Sequence, residues 1–189
     1  MEQLLTVDTI NHIMYVTVDN KLIKTIKNVF VGKNGTTSVD KAIEGDMKTP
    51  LGLFNLGVAF GIHDLSIDYP YIKIDDGSFW VDDNNSKYYN CFVELGRKVD
   101  DFGYSYIFNL DEKEFSSAEH LISYKEAYEY AIFIEFNVCN KNHGNNKGSA
   151  IFLHCGSSYT HGCVAVSRDD MLWILNFLDR NKNPKILIK

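Results

Sequence analysis

The sequence predicts a mostly β domain of the α+β class, a β-sandwich-like fold with one or two packed helices. Three observations lead there: period-two alternation through the first third, two consecutive apolar runs in the last third, and one strongly amphipathic segment near the C-terminus. "HIMYVTVDNKLIKTI" sets Ile13 and Tyr15 against Met14, Val16 and Val18, turns at Asp19-Asn20 and resumes with Leu22, Ile23 and Ile26, the pattern of a hairpin. "NVFVGKNG" predicts a third short strand closed by Gly35, and "GDMKTPLGLFNLGVAFG" a strand that follows turn residues. The aromatic, turn-rich "YPYIKIDDGSFWVDDNNSKYYNCFVEL" suits short strands joined by shaped loops.

"SSAEHLISYKEAYEYA" offers Ser116 or Ser117 as a helix cap with Glu119 nearby, and fits one helix or a short helix and a loop. "YAIFIEFN" and "GSAIFLHC" read as consecutive strands buried on both faces. In "SRDDMLWILNFLD", Ser167 caps a helix, Asp169 and Asp170 complement its dipole, and Met171, Ile174, Leu175 and Leu178 form its apolar face. Asn183-Pro184 ends it and "KILIK" closes the sheet.

The length, 189 residues with only 3 prolines, fits a single domain over 1–189 with a sizeable core. A net charge of −6 with scattered lysines gives no phosphate-binding patch, so nucleic acid is not an expected partner. No apolar run approaches the roughly 18 residues of a membrane span, and "MEQLLTVDTINH" lacks the pattern of a secretory signal. The expectation is a soluble monomer.

The 4 cysteines, Cys91, Cys139, Cys155 and Cys163, are too few and too unevenly spread for a disulfide scaffold. Two of them fall in "IFLHCGSSYTHGCVAVSRDD" with His154 and His161. A nucleophilic cysteine needs a nearby base and access, and Cys163, after Gly162 and before a capped helix, meets the sequence side of this with His154 at a strand end. The amides of Gly162 and Cys163 are candidate oxyanion donors. Zinc is a rival reading, weakened because His154 and Cys155 are neighbours on a strand and point to opposite faces. The same alternation argues against a Cys155–Cys163 disulfide and makes Cys155 a small core residue, as are Cys91 and Cys139. On spacing alone, catalysis and plain packing carry similar weight.

"THGCVAVS", preceded by "GSAIFLH" and followed by the capped helix, resembles the catalytic signature of the L,D-transpeptidase (YkuD-type) domain family. "GDMKTPLGLF" resembles that family's Gly-Asp-x-Lys-Thr-Pro-x-Gly-x-Phe segment, and "WVDDNNSKYYN" and "NKGSAIFLH" fit between them in order. The resemblance implies acyl transfer on peptidoglycan stem peptides outside the cytoplasm, with no cofactor. It makes Cys163 the nucleophile, His154 the general base, Cys155 a main-chain carbonyl that orients His154, and Gly162 a main-chain amide donor. His161, Thr160, Tyr159, Tyr89 and Asn90 become candidate substrate-binding residues, and Lys48, Thr49, Pro50 and Gly52 turn elements. The short connection from His154 to the Thr-His-Gly-Cys motif, and Ala165 where many members carry Arg or Asn, leave the acceptor open between an amine and water. A peptidoglycan-binding or zinc-stabilised module without catalysis is the alternative from another class.

Overall fold

The computed structural model describes residues 2–138 and 146–189. One strand, β5 (Thr49–Gly61), organises the larger sheet because its length lets it pair with different partners along its course. Its first residues pair in parallel with β4 (Thr36–Ser38), its middle lies antiparallel to β14 (Lys185–Ile188), and its last third pairs with β11 (Tyr130–Ile134) and β6 (Tyr71–Lys73). Beyond β14 follow β1 (Gln3–Asp8), β2 (Ile13–Val18) and β3 (Lys21–Lys27); beyond β11 follow β12 (Phe152–Cys155) and β13 (Val164–Val166). Among the described residues a second sheet has the order β10 (Ala118–His120), β7 (Ser78–Val81), β8 (Phe92–Leu95), β9 (Ile107–Leu110).

The apolar runs behave as doubly buried strands. Along β11, Ala131 and Phe133 face one core while Tyr130, Ile132 and Ile134 face another; along β12, Phe152 faces the first and Leu153 and Cys155 the second. The second sheet covers the first core, where Trp80 packs on Phe133 and Phe152 with ring centroids 4.4 and 4.9 Å away. Helix α1 (Arg168–Phe177) covers the other core with Met171, Ile174 and Leu175.

Several expectations hold. The hairpin is β2–β3 with Asp19 and Asn20 both at positive φ, and Ser167 caps α1 by accepting from the Asp170 amide at 3.2 Å. Two readings are corrected, and one strand is added. Gln3–Asp8, without a prediction, forms β1, because pairing on both sides with β2 and β14 holds it in the sheet. "NVFVGKNG" is not a regular strand: only Phe30 and Gly32 bridge, to Ala165 and Thr160. "SSAEHLISYKEAYEYA" contains no α-helix; Ala118–His120 pairs with β7, and two 3-10 turns, Leu121–Tyr124 and Ala127–Glu129, follow. There the burial of Leu121 and Tyr128 and the cross-strand pairing override helix propensity.

Removing the α1 cap gives a simple check. Ser167→Ala should lower unfolding free energy by about 1 kcal/mol. A urea titration should show a lower midpoint with unchanged slope.

Candidate active site

The parallel pairing of β12 with β13 builds the site. Its register sets Leu153 beside Val164 and His154 beside Ala165, so Cys163, one residue ahead of β13, falls alongside Phe152. The Phe152 amide donates to Cys163 Sγ at 3.4 Å. Phe152 and His154, two positions apart on a strand, share a face. Cys163 packs against the core on that same face, so the thiol and the imidazole lie on one side of the sheet, one step apart along the strands. Cys155 turns to the opposite core, where its thiol donates to the Tyr130 carbonyl at 3.4 Å.

Two threonines hold the turn that carries the cysteine. The Thr160 hydroxyl donates to the Cys163 carbonyl at 2.6 Å and accepts from the Gly162 amide at 3.1 Å. The Thr49 hydroxyl donates to the Gly162 carbonyl at 2.7 Å and accepts from the Gly32 amide at 2.8 Å. Thr160 is itself bonded through its main chain to Val31 and Lys33, which explains why "NVFVGKNG" leaves the hairpin sheet. Gly162 has φ +136°, and a Cβ there would meet the Ile151 side chain and the Lys48 carbonyl at 3.2 Å.

Both side chains, His154 and Cys163, are held neutral in this arrangement. His154 is almost fully buried, and burial lowers its pKa against the opposing pull of the Cys155 carbonyl. That carbonyl lies 2.7 Å from Nδ1, which assigns the proton to Nδ1 and leaves the Nε2 lone pair free to act as a base. Burial pushes the Cys163 thiol up to about 12, the charge of Glu119 adds to the rise, and the Phe152 amide opposes it. The thiol donates instead to the Ala150 carbonyl at 3.2 Å. Ala150 has φ +53°, a strained conformation for alanine, and its amide is tied to Asn90 Oδ1 at 3.0 Å.

The remaining expected residues divide by burial. The Cys155 carbonyl lies where the resemblance placed it, on the imidazole. The Gly162 amide, a candidate oxyanion donor, donates to Thr160 Oγ1 in this conformation. Thr160, Tyr89 and Asn90, candidate substrate-binding residues, are buried with polar atoms engaged inside the protein. Asn90 bonds Trp80, Ala150 and the carbonyls of Phe136 and Asn137, and the Tyr89 hydroxyl bonds Glu44 and the Gly148 amide. Tyr159 is 57% exposed but leans on His12 and Phe30, while His161 is exposed beside Lys48 and Ser149. Cys91 is buried, as expected of a core residue, and Cys139 lies outside the described residues.

Four contributors escaped the sequence reading. Thr49 stood in a quoted motif but was taken only as a turn residue. Ala150 acts through its backbone, which leaves no side-chain signal. Tyr128 and Glu119 sat in a segment taken for a helix. Among the described residues no three His, Cys, Asp or Glu side chains converge as a metal site.

Fold and site thus define a class: a two-core β domain that brings a cysteine and a histidine onto one face through a parallel strand pair. The family model of the L,D-transpeptidase catalytic domain, YkuD, matches residues 2–188. The chain belongs to that family. Among solved structures it is similar to the helical cell shape determining protein Pgp2 from Campylobacter jejuni, at 16% identity and a TM-score of 0.51, covering 100% of this chain and 47% of that one. It is also similar to an L,D-transpeptidase from Mycobacterium smegmatis, at 14% identity and a TM-score of 0.46, covering 100% of this chain and 58% of that one. The chain spans about half the length of these solved relatives. A comparison with curated proteins gave no match.

Thr49→Val should strip the Gly32 amide and the Gly162 carbonyl of their partner, at a cost of about 1–3 kcal/mol for each buried group left unpaired. Cys163 alkylation should also become less uniform, visible as two-phase labelling in the mass spectrum. In the intact domain, the raised thiol pKa means that iodoacetamide labelling of Cys163 should climb steadily as pH rises past the usual cysteine range. A plateau already reached below neutral pH would reveal a stable thiolate–imidazolium pair and contradict the neutral resting state.

Proposed function

We propose that this domain transfers the acyl group of a peptidoglycan stem tetrapeptide through a thioester on Cys163, outside the cytoplasm. The observation that carries this is the placement of a partly buried thiol and a buried, neutral imidazole on one sheet face, with Nδ1 committed to the Cys155 carbonyl and Nε2 without a hydrogen-bond partner among the described residues. Substrate entry turns the thiol from the Ala150 carbonyl toward His154. Nε2 takes the thiol proton as Sγ attacks the carbonyl between the third residue and the terminal D-alanine. With the Gly162 amide engaged by Thr160, the Cys163 amide is left as the main-chain donor for the oxyanion. The C–N bond then breaks, and the imidazolium returns its proton to the leaving amine of D-alanine.

In the second half Nε2 deprotonates the acceptor, which attacks the thioester and releases Cys163 as the thiol. An amine of a neighbouring stem gives a crosslink and water gives hydrolysis.

Cys163→Ala should abolish D-alanine release from tetrapeptide stems while leaving the thermal melt in place. Intact-protein mass spectrometry of the wild type should show the acyl adduct on Cys163. Undiminished release by the variant overturns the reading, and the product ratio with and without an added amine stem separates transfer from hydrolysis.

A further inference from the structure

The reaction above leaves two titratable side chains beside the catalytic pair without a task. Tyr128, 5% exposed and placed just ahead of β11, sets its ring edge-to-face on His154, with centroids 5.8 Å apart at 86°, and on Phe152 at 5.4 Å and 83°. Its hydroxyl donates to Glu119 Oε2 at 2.5 Å. Glu119 is the middle residue of β10, opposite Trp80 of β7, and so belongs to the second sheet. This hydrogen bond therefore ties the covering sheet to the ring that rests on the imidazole.

We propose that Tyr128 and Glu119 are positioning residues for the catalytic pair, the Tyr128 ring holding the His154 imidazole toward Cys163 and the Glu119 carboxyl holding that ring by its hydroxyl. The inference rests on the reading of Cys163 as nucleophile and His154 as base. Among the described residues the imidazole has one hydrogen bond, from Nδ1 to the carbonyl of the next residue. That bond fixes the tautomer, and the packed face of Tyr128 restricts how the ring can swing about it.

The pair also brings a charge to the nucleophile. Among the described residues, the groups acting on Glu119 are the Tyr128 hydroxyl, Cys163, Asp82 and Glu44, with Tyr124 beside Tyr128, and none of these is a cation. Burial, then Asp82 and Glu44, raise the Glu119 carboxyl to about 7 against the hydrogen bond from Tyr128. Near neutral pH the carboxyl therefore changes charge, and its ionised form opposes the Cys163 thiolate. The folded pKa lies above the ordinary glutamate value. The stability this contributes is complete below that ordinary value and is lost as pH rises through about 7.

The test uses the whole domain and three readouts: Cys163 labelling by iodoacetamide across pH, thermal melting, and kcat and KM for D-alanine release. Glu119→Gln keeps an acceptor for the Tyr128 hydroxyl and removes the charge. It should label several-fold faster than wild type above neutral pH and equally below it, and should melt higher than wild type at about pH 8 but not at about pH 5. Tyr128→Phe keeps the ring and frees it from its anchor; it should lower kcat about tenfold with little change in KM. A Glu119→Gln labelling profile that superposes on wild type overturns the inference even if Tyr128→Phe does not fold, as does an unchanged kcat in a folded Tyr128→Phe. A wild type that labels at Cys163 but releases no D-alanine instead overturns the proposed reaction, and the labelling comparison still decides the role of Glu119.

Discussion

The register between β12 and β13 is the constraint on which the site depends. A shift by one residue would move Cys163 off the Phe152 amide and turn its side chain toward the other core. That register is held from outside the connection over 156–163, by Thr49 at the head of β5 and by the bridges from Phe30 and Gly32. The Lys-Thr-Pro segment and the Cys motif, far apart in the chain, are thus two halves of one latch. Their joint presence in the sequence has a mechanical reason.

What the sequence disclosed follows from how each signal is generated. Strand alternation in β2 and β3, the cap and face of α1, and the two-faced burial of β11 and β12 all arise from local pattern. The pairing of His154 with Cys163 and the use of the Cys155 carbonyl were legible because the strand period separates neighbouring side chains and because a family resemblance supplied the roles. The engagement of the Gly162 amide is invisible in the sequence because it depends on the rotamer of a neighbouring hydroxyl, Thr160. Tyr89 and Asn90 are buried beside the Ala150 segment. Their polarity serves internal satisfaction, with Asn90 at φ +58° meeting an indole, an amide and two carbonyls. The segment 116–131 was misread because its propensity points to helix while long-range pairing with β7 decides otherwise.

The surroundings of Cys163 and His154 shape what the pair can do. A cysteine held as a thiol beside a histidine held neutral carries no charge separation at rest. The strained Ala150 carbonyl and the Phe152 amide bracket the sulfur, one as acceptor and one as donor. The same two-sided arrangement protects an idle thiol from small oxidants, since the thiolate is the reactive species.

The place of β14 in the sheet has a consequence for biosynthesis. The last strand in chain order lies between β1, the first, and β5, in the interior of the larger sheet. Until β14 has been made, the edges of β1 and β5 that it joins have no strand between them. The hairpin half and the catalytic half of the larger sheet are joined through that inserted strand. The strands and bridges around Cys163 all precede β14 in the chain, so the latch can form before the sheet that it belongs to is whole.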